Sequence, residues 1–180
     1  MIWNQRIKAS VVFASFVTGA VVLAAIGMSQ RPAREPAPVM LVLRGIANAE
    51  HPRGQLDDQS ALEYARRTGF KGEVLDIAGN TGPDSEQVKM ALDRIRRDDA
   101  VAAIYGFSGG GYNARTIWQE LSPTERERIR EVIVIGAPGI TKADFAGSST
   151  VRIMPDPPEG HMAGPKALLE SLGSRAAVGG

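Results

Sequence analysis

The sequence contains no cysteine, and this absence removes several classes of site at once. Without thiols the chain can form neither a disulfide framework, nor a thiolate zinc site, nor a cysteine nucleophile. Histidine is scarce as well, because only His51 and His161 are present. Any chemistry that needs an imidazole must therefore use one of these two residues.

The sequence also lacks an excess of charge of one sign. Its 21 basic side chains stand against 20 acidic ones, which gives a formal net charge of +1. The arginines are scattered among acids, and no basic stretch is interleaved with aromatic residues, so we expect no nucleic-acid partner. A chain of 180 residues is long enough for one domain with a sizeable core and short for two.

One uncharged run stands out, at residues 9–28. A helix of that length spans the roughly 30 Å of a bilayer core, whereas a secretory signal has an apolar stretch of only about 7–15 residues. We therefore predict a single-pass transmembrane signal anchor at 9–28. It follows a cytoplasmic segment at 1–8 and precedes a proline-rich linker at 29–38. The folded domain is predicted at 39–180.

The charges beside the run predict its orientation. Arg6 and Lys8 precede it, and the net positive charge just after it is smaller, so the amino end is expected to stay in the cytoplasm. The domain would then lie on the outer, periplasmic side of the membrane. Ala25 and Gly27 are small residues at a possible cleavage site, which leaves secretion after signal cleavage as the alternative.

From residue 39 onward, short apolar runs alternate with helical patterns. Five runs, mostly β-branched and bounded by glycine, proline or charge, predict buried strands at 39–43, 73–78, 101–105, 132–136 and 150–154. Apolar residues recur with helical spacing between them, and a last helix is predicted from Pro165 to Gly173. This alternation predicts an α/β fold, a three-layer sandwich whose mostly parallel five-stranded sheet is covered by helices on both faces.

A glycine-rich turn follows the third predicted strand. Residues 106–110 read GFSGG, which matches the G-x-S-x-G pattern of a nucleophile turn. With a strand before it and a helix after it, the pattern predicts that Ser108 is held in a strained conformation at the tip. The spacing is neither that of a Walker loop nor that of a dinucleotide fingerprint. We therefore predict that Ser108 is a nucleophile.

A serine nucleophile needs a base and a carboxylate that orients it. His161 lies in the loop after the fifth strand, downstream of the serine, and is the predicted base, whereas His51 is interpreted as a surface-loop residue. Asp156, five positions before His161, is the first candidate for the carboxylate. Asp144, in the loop after the fourth strand, is the second candidate, and Glu159 is the third.

With these motifs in order, residues 39–172 resemble the α/β-hydrolase superfamily. The resemblance implies a reduced form of that fold with spatial strand order 2-1-3-4-5. It also implies an oxyanion hole made by the backbone N–H of Gly109 and a second N–H near Ile46. Two features differ from many relatives: Arg44 and Gly45 stand in place of a His-Gly pair, and the strand that normally carries the acid is missing.

The resemblance implies a membrane-anchored, carboxylesterase-like serine hydrolase that forms an acyl-enzyme through Ser108, His161 and Asp156. Only a short loop joins residues 136 and 150, where larger relatives insert lids, so a small or exposed acyl substrate is expected: an ester, a thioester or a peptide. No metal-binding cluster is evident in the sequence, and the implied mechanism needs no cofactor.

Two other functions stay open at this point. One is a membrane-tethered α/β binding module that holds a phosphate or another anion at the glycine turn. The other is a degenerate hydrolase that acts as an interaction protein in the cell envelope. The enzyme requires Ser108 and His161 at hydrogen-bonding distance, about 2.6–3.2 Å, and the binding module does not.

Overall fold

A computed structural model of the chain describes three stretches, residues 36–45, 57–75 and 80–176. The predicted segment 1–8, the predicted anchor 9–28 and most of the predicted linker 29–38 lie outside them. Within the three stretches, no helix combines the length and the apolar character that a membrane span requires.

Strands and helices alternate along the described residues. In chain order they are β1 (Val39–Leu43), α1 (Asp57–Arg67), β2 (Lys71–Leu75), α2 (Glu86–Arg97), β3 (Val101–Phe107), α3 (Gly109–Glu120), α4 (Pro123–Arg128), β4 (Glu131–Ile135), β5 (Thr150–Met154) and α5 (Gly164–Ala176). Two short 3-10 helices, Lys142–Phe145 and His161–Ala163, lie in the loops on either side of β5.

The five strands form one sheet in the order β2-β1-β3-β4-β5, and every neighbouring pair is parallel. This confirms the predicted α/β class, the parallel sheet and the order 2-1-3-4-5. Since all five strands run the same way, the loops that leave their carboxyl ends meet at one edge of the sheet, where such folds bind ligands.

The core lies in two layers, one on each face of the sheet. Successive residues of a strand point to opposite faces. Leu41 packs in the layer formed with α2 and α3, and its neighbour Met40 packs in the layer formed with α1 and α5. All residues of β1, β3 and β4 are buried, as expected for parallel strands covered on both sides.

Several predicted boundaries differ from the structure: β3 extends to Phe107 rather than to residue 105, and β4 is Glu131–Ile135 rather than 132–136. β2 begins at Lys71 rather than at residue 73, because it pairs along its whole length with β1 despite its polar first residues. Helix α5 continues past Gly173, where the sequence predicted its end, to Ala176. A glycine inside a helix costs only about 1 kcal/mol relative to alanine, so it does not by itself stop one.

Helix α3 makes a close approach to β1 at its first turn. A Cβ atom at Gly110 would lie 2.2 Å from the carbonyl oxygen of Leu43 and 2.9 Å from that of Arg44. Both contacts are with backbone atoms, which cannot rotate away. Position 110 therefore requires glycine for this helix to pack on the sheet.

We expect Gly110→Ala to lower the free energy of unfolding by about 3 kcal/mol, because the methyl group forces α3 away from β1. Denaturant unfolding of the purified protein measures this change. Gly69→Ala is a comparison that costs backbone strain alone, since Gly69 has φ +85° and a Cβ there would meet no heavy atom within 4 Å, so its loss should be the smaller of the two. Equal losses for the two variants would show that the close approach does not limit packing.

Candidate active site

Ser108 occupies the turn between β3 and α3. Its backbone has φ 53° and ψ −119°, and it is the single non-glycine residue with positive φ in the described part of the chain. Side chains rarely adopt this conformation because of steric strain. Two backbone hydrogen bonds hold the turn: Ser108 N–H donates to Ile135 O at 2.8 Å, and Gly111 N–H donates to Ser108 O at 2.9 Å.

Asp156 and His161 form a pair on the same edge of the sheet. Asp156 Oδ1 and His161 Nδ1 are 2.7 Å apart. The imidazole also stacks on the Phe107 ring, with ring centroids 4.7 Å apart and planes inclined by 26°. Phe107 precedes Ser108, so this stacking places the imidazole beside the serine turn. With Nδ1 engaged by the carboxylate, Nε2 is the nitrogen left for another partner.

Gly136, at the carboxyl end of β4, lies directly against this pair. Its φ is +61°, and a Cβ atom there would lie 2.5 Å from Asp156 Oδ1 and 2.7 Å from His161 Cε1. The Gly136 N–H donates to Met154 O at 2.9 Å, which ties the end of β4 to β5. The loops that follow β4 and β5 therefore meet with Gly136 in tight contact with the Asp156–His161 pair.

The site is open to solvent. The side chains of His161 and Asp156 are 40% and 39% exposed. Neither the Ser108 hydroxyl nor the Gly109 N–H makes a hydrogen bond with another of the described residues. The structure thus brings Asp156 and His161 together and places them near Ser108, without a hydrogen bond that joins the serine to the imidazole.

Asp144, the second candidate acid, lies elsewhere. It caps the 3-10 helix Lys142–Phe145, where Asp144 Oδ2 accepts hydrogen bonds from Thr141 N at 2.8 Å and from Thr141 Oγ1 at 3.0 Å. The T-x-x-D spacing of these residues resembles a capping box, a signal already readable in the sequence. Glu159, the third candidate, is exposed in the turn before His161.

The hydrogen bond from the Thr141 backbone holds the pKa of Asp144 below its ordinary value of 3.8. A lowered pKa in the folded state stabilises the protein above the unfolded pKa, and this contribution disappears as the pH falls through the folded pKa. We expect the difference in free energy of unfolding between wild type and Asp144→Asn to be constant near neutral pH and to shrink below about pH 4. Urea titrations at several pH values measure it. A difference that grows in acid would contradict this assignment.

Of the two predicted oxyanion donors, the structure describes Gly109 but not Ile46. Gly109 begins α3, where backbone N–H groups have no partner within the helix and the helix dipole favours negative charge. Ile46 and His51 lie outside the described residues. Gly45, the last described residue before Ile46, lies against the serine: a Cβ there would be 3.0 Å from Ser108 Cβ and 3.5 Å from Ser108 Oγ.

Buried polar residues behind this edge were missed by sequence reasoning. The Arg44 guanidinium binds the Asp58 carboxylate through Nε, at 2.9 Å from Oδ2 and 3.1 Å from Oδ1, and also through its terminal nitrogen. Gln87 and Asn113 are almost fully buried on α2 and α3. Single polar residues within helical stripes carry no periodic signal, so only tertiary contacts identify them.

The fold and the site define an α/β protein with a doubly wound parallel sheet and an Asp-His pair beside a strained serine. No family model and no curated protein matches the chain. Among solved structures, the chain is similar to a Trichoderma reesei cutinase in complex with a C11Y4 phosphonate inhibitor. The sequence identity is 18% and the TM-score 0.42, over 86% of this chain and 78% of that one.

Proposed function

We propose that this protein is a serine hydrolase of the α/β-hydrolase type, which cleaves a small or exposed acyl substrate such as an ester, a thioester or a peptide. One observation carries the proposal: Ser108 is held at positive φ between a strand and a helix, with the Asp156–His161 pair at the same edge of the sheet. Strain at a serine in a strand-turn-helix, next to an oriented imidazole, is what an exposed nucleophile requires.

In the proposed mechanism Ser108 Oγ attacks the acyl carbon while His161 Nε2 takes the hydroxyl proton. Asp156 accepts the hydrogen bond from His161 Nδ1, which fixes the tautomer and stabilises the imidazolium. The Gly109 N–H and a donor from the loop after β1 stabilise the oxyanion. His161 then returns the proton to the leaving group, and water clears the acyl-enzyme by the same steps.

The proposal includes the location of the protein. Residues 9–28 would anchor it in a membrane and residues 39–180 would lie on the outer, periplasmic side, with cleavage and secretion as the alternative. Membrane fractionation with carbonate washing, combined with intact mass measurement, separates a retained anchor from a cleaved signal.

A pre-steady-state assay tests the proposed chemistry. With a p-nitrophenyl ester in excess, an acyl-enzyme mechanism releases a burst of close to one p-nitrophenol per protein molecule when deacylation is the slower step. Mass spectrometry of the quenched reaction should locate the acyl group on Ser108. A folded protein that releases no p-nitrophenol and carries no acyl group would overturn the proposal.

A second candidate is the binding module, in which Ser108 and the Gly109 N–H hold an anion. It is favoured by one observation, that among the residues described no hydrogen bond joins Ser108 to His161. Phosphate or another anion bound at the turn, together with a failed burst, would support it.

Gly136→Ala tests whether the positions of Asp156 and His161 matter for the reaction, because it leaves both side chains chemically unchanged. The added Cβ would displace Asp156 and His161, so we expect the rate of ester hydrolysis to fall by about tenfold to a hundredfold. Gly139→Ala is the matched control, because Gly139 also has positive φ, 81°, but a Cβ there meets no heavy atom within 4 Å. Steady-state kinetics on both variants measure the effect. Equal rates of ester hydrolysis for the two variants would show that the close contact at Gly136 does not determine the geometry of the Asp156–His161 pair.

A further inference from the structure

A chain of buried amides links the helix behind Ser108 to the end of β1. Asn113, on α3, accepts a hydrogen bond from Gly82 N–H through Oδ1, at 3.1 Å. Its Nδ2 donates to Gln87 Oε1 at 2.9 Å. Gln87 Nε2 in turn donates to the carbonyl oxygen of Arg44 at 3.3 Å. Donor and acceptor alternate along this chain, so each amide fixes the orientation of the next.

This series of hydrogen bonds ends beside the proposed nucleophile, Ser108. Arg44 is followed by Gly45, whose Cβ position lies 3.5 Å from Ser108 Oγ. Gln87 is 1% exposed and Asn113 is 2% exposed, so water does not compete for their hydrogen bonds. Buried networks of this kind are rigid when every member is satisfied. A shift of the Arg44 carbonyl would therefore move Gly45 relative to the serine.

We infer that Gln87 is a positioning residue, which through the Arg44 carbonyl holds Gly45 against Ser108. This inference rests on the proposed function, because it concerns the oxyanion side of the proposed site. Gln87 does not touch the reacting atoms. Its role is to set where the loop after β1 begins, and Asn113 acts one step further back by holding the Gln87 amide in the required orientation.

Three variants of the full-length protein test the inference by their rates of reaction with a fluorophosphonate. Gln87→Met removes the donor to the Arg44 carbonyl, and Gln87→Glu replaces it with an oxygen. Asn113→Asp reverses the direction of the hydrogen bond between residues 113 and 87, because the new carboxylate accepts from Gln87 Nε2 and draws it away from the Arg44 carbonyl. We expect each to react about tenfold to a hundredfold more slowly than wild type. The double variant Gln87→Met/Asn113→Asp should be no slower than Gln87→Met alone.

Tyr64→Phe is the matched control for general loss of stability. Tyr64 donates to Glu131 Oε1 at 2.9 Å. Glu131 is the first residue of β4, so this hydrogen bond lies at the amino end of that strand, whereas the proposed site lies at the carboxyl ends. The Tyr64→Phe variant should have a lower melting temperature than wild type, as the Gln87 variants should. Its labelling rate should stay within about twofold of wild type. The pH at which labelling is half-maximal should not change in Gln87→Met or Tyr64→Phe, since neither substitution adds a charged side chain and Asp156 and His161 are untouched.

The outcomes separate this inference from the function on which it rests. A wild type that is not labelled overturns the proposed function and the inference with it. A labelled wild type with Gln87 variants of equal rate overturns the inference alone. Equal slowing by Tyr64→Phe, or a shifted pH profile in Gln87→Met, would also overturn it, because either result points to a general structural effect.

Discussion

Ser108→Ala is expected to reduce the hydrolysis of a p-nitrophenyl ester by about 10⁴-fold or more, because no other group in the proposed mechanism can form the acyl-enzyme. The variant should remain folded. The Ser108 hydroxyl makes no hydrogen bond with the rest of the described chain, so its removal costs none. Steady-state kinetics and thermal unfolding measure the two effects together.

Ser148→Ala is the control for this experiment. Ser148 lies in the exposed loop before β5, where its hydroxyl donates to Thr150 O at 3.3 Å. Its removal should leave the rate unchanged. If Ser108→Ala kept a tenth of the wild-type rate, hydrolysis would proceed by another route and the assignment of the nucleophile would be wrong.

Asp156→Asn is expected to have the second largest effect, a fall in kcat of about 10²-fold to 10⁴-fold. An amide in place of the carboxylate does not stabilise the imidazolium and can turn an N–H toward Nδ1, which selects the wrong tautomer. The pair is well exposed, at 39% and 40%, so water can partly replace the lost interaction. We therefore expect a loss toward the lower end of this range.

Asp144→Asn discriminates between the first two of the three carboxylates that the sequence offered. Because Asp144 hydrogen-bonds to Thr141 and caps a 3-10 helix, the substitution should lower stability and leave kcat unchanged. The opposite pattern, in which Asp144→Asn reduces kcat and Asp156→Asn does not, would require the loops after β4 and β5 to exchange roles.

The sheet was predictable because its signal is local and repeated. Each strand is a short apolar run, and the alternation with helices fixes a parallel sheet with right-handed connections. The same alternation predicts that the loop carrying Ser108 and the loop carrying His161 meet at one edge, and the structure has both loops there.

The choice among acids was harder, because it depends on the path of two loops rather than on any local pattern. Asp144 and Asp156 are both loop carboxylates after neighbouring strands, and sequence position alone ranks them weakly. The capping pattern from Thr141 to Asp144 was the available signal. The role of Gly136 had no such signal, since its contact with Asp156 and His161 arises only when β4 and β5 pair.

The buried amides lie beyond sequence reasoning for a different reason. Gln87 and Asn113 each stand next to an apolar core residue in a helix, and nothing in that pattern shows which polar neighbour will be buried. Gln87 donates to the backbone carbonyl of Arg44, and Asn113 accepts from the backbone N–H of Gly82, so neither of these partners has a side-chain identity to read. A network of this kind is recognised only from tertiary contacts.

The measurement that tests the central claim most directly is fluorophosphonate labelling of the full-length wild type, Ser108→Ala and His161→Ala. If Ser108 is activated by the Asp156–His161 pair, the wild type is labelled on Ser108, Ser108→Ala is not labelled, and His161→Ala reacts at a small fraction of the wild-type rate. A folded wild type that resists the probe, or a His161→Ala variant labelled as fast as wild type, would contradict the claim.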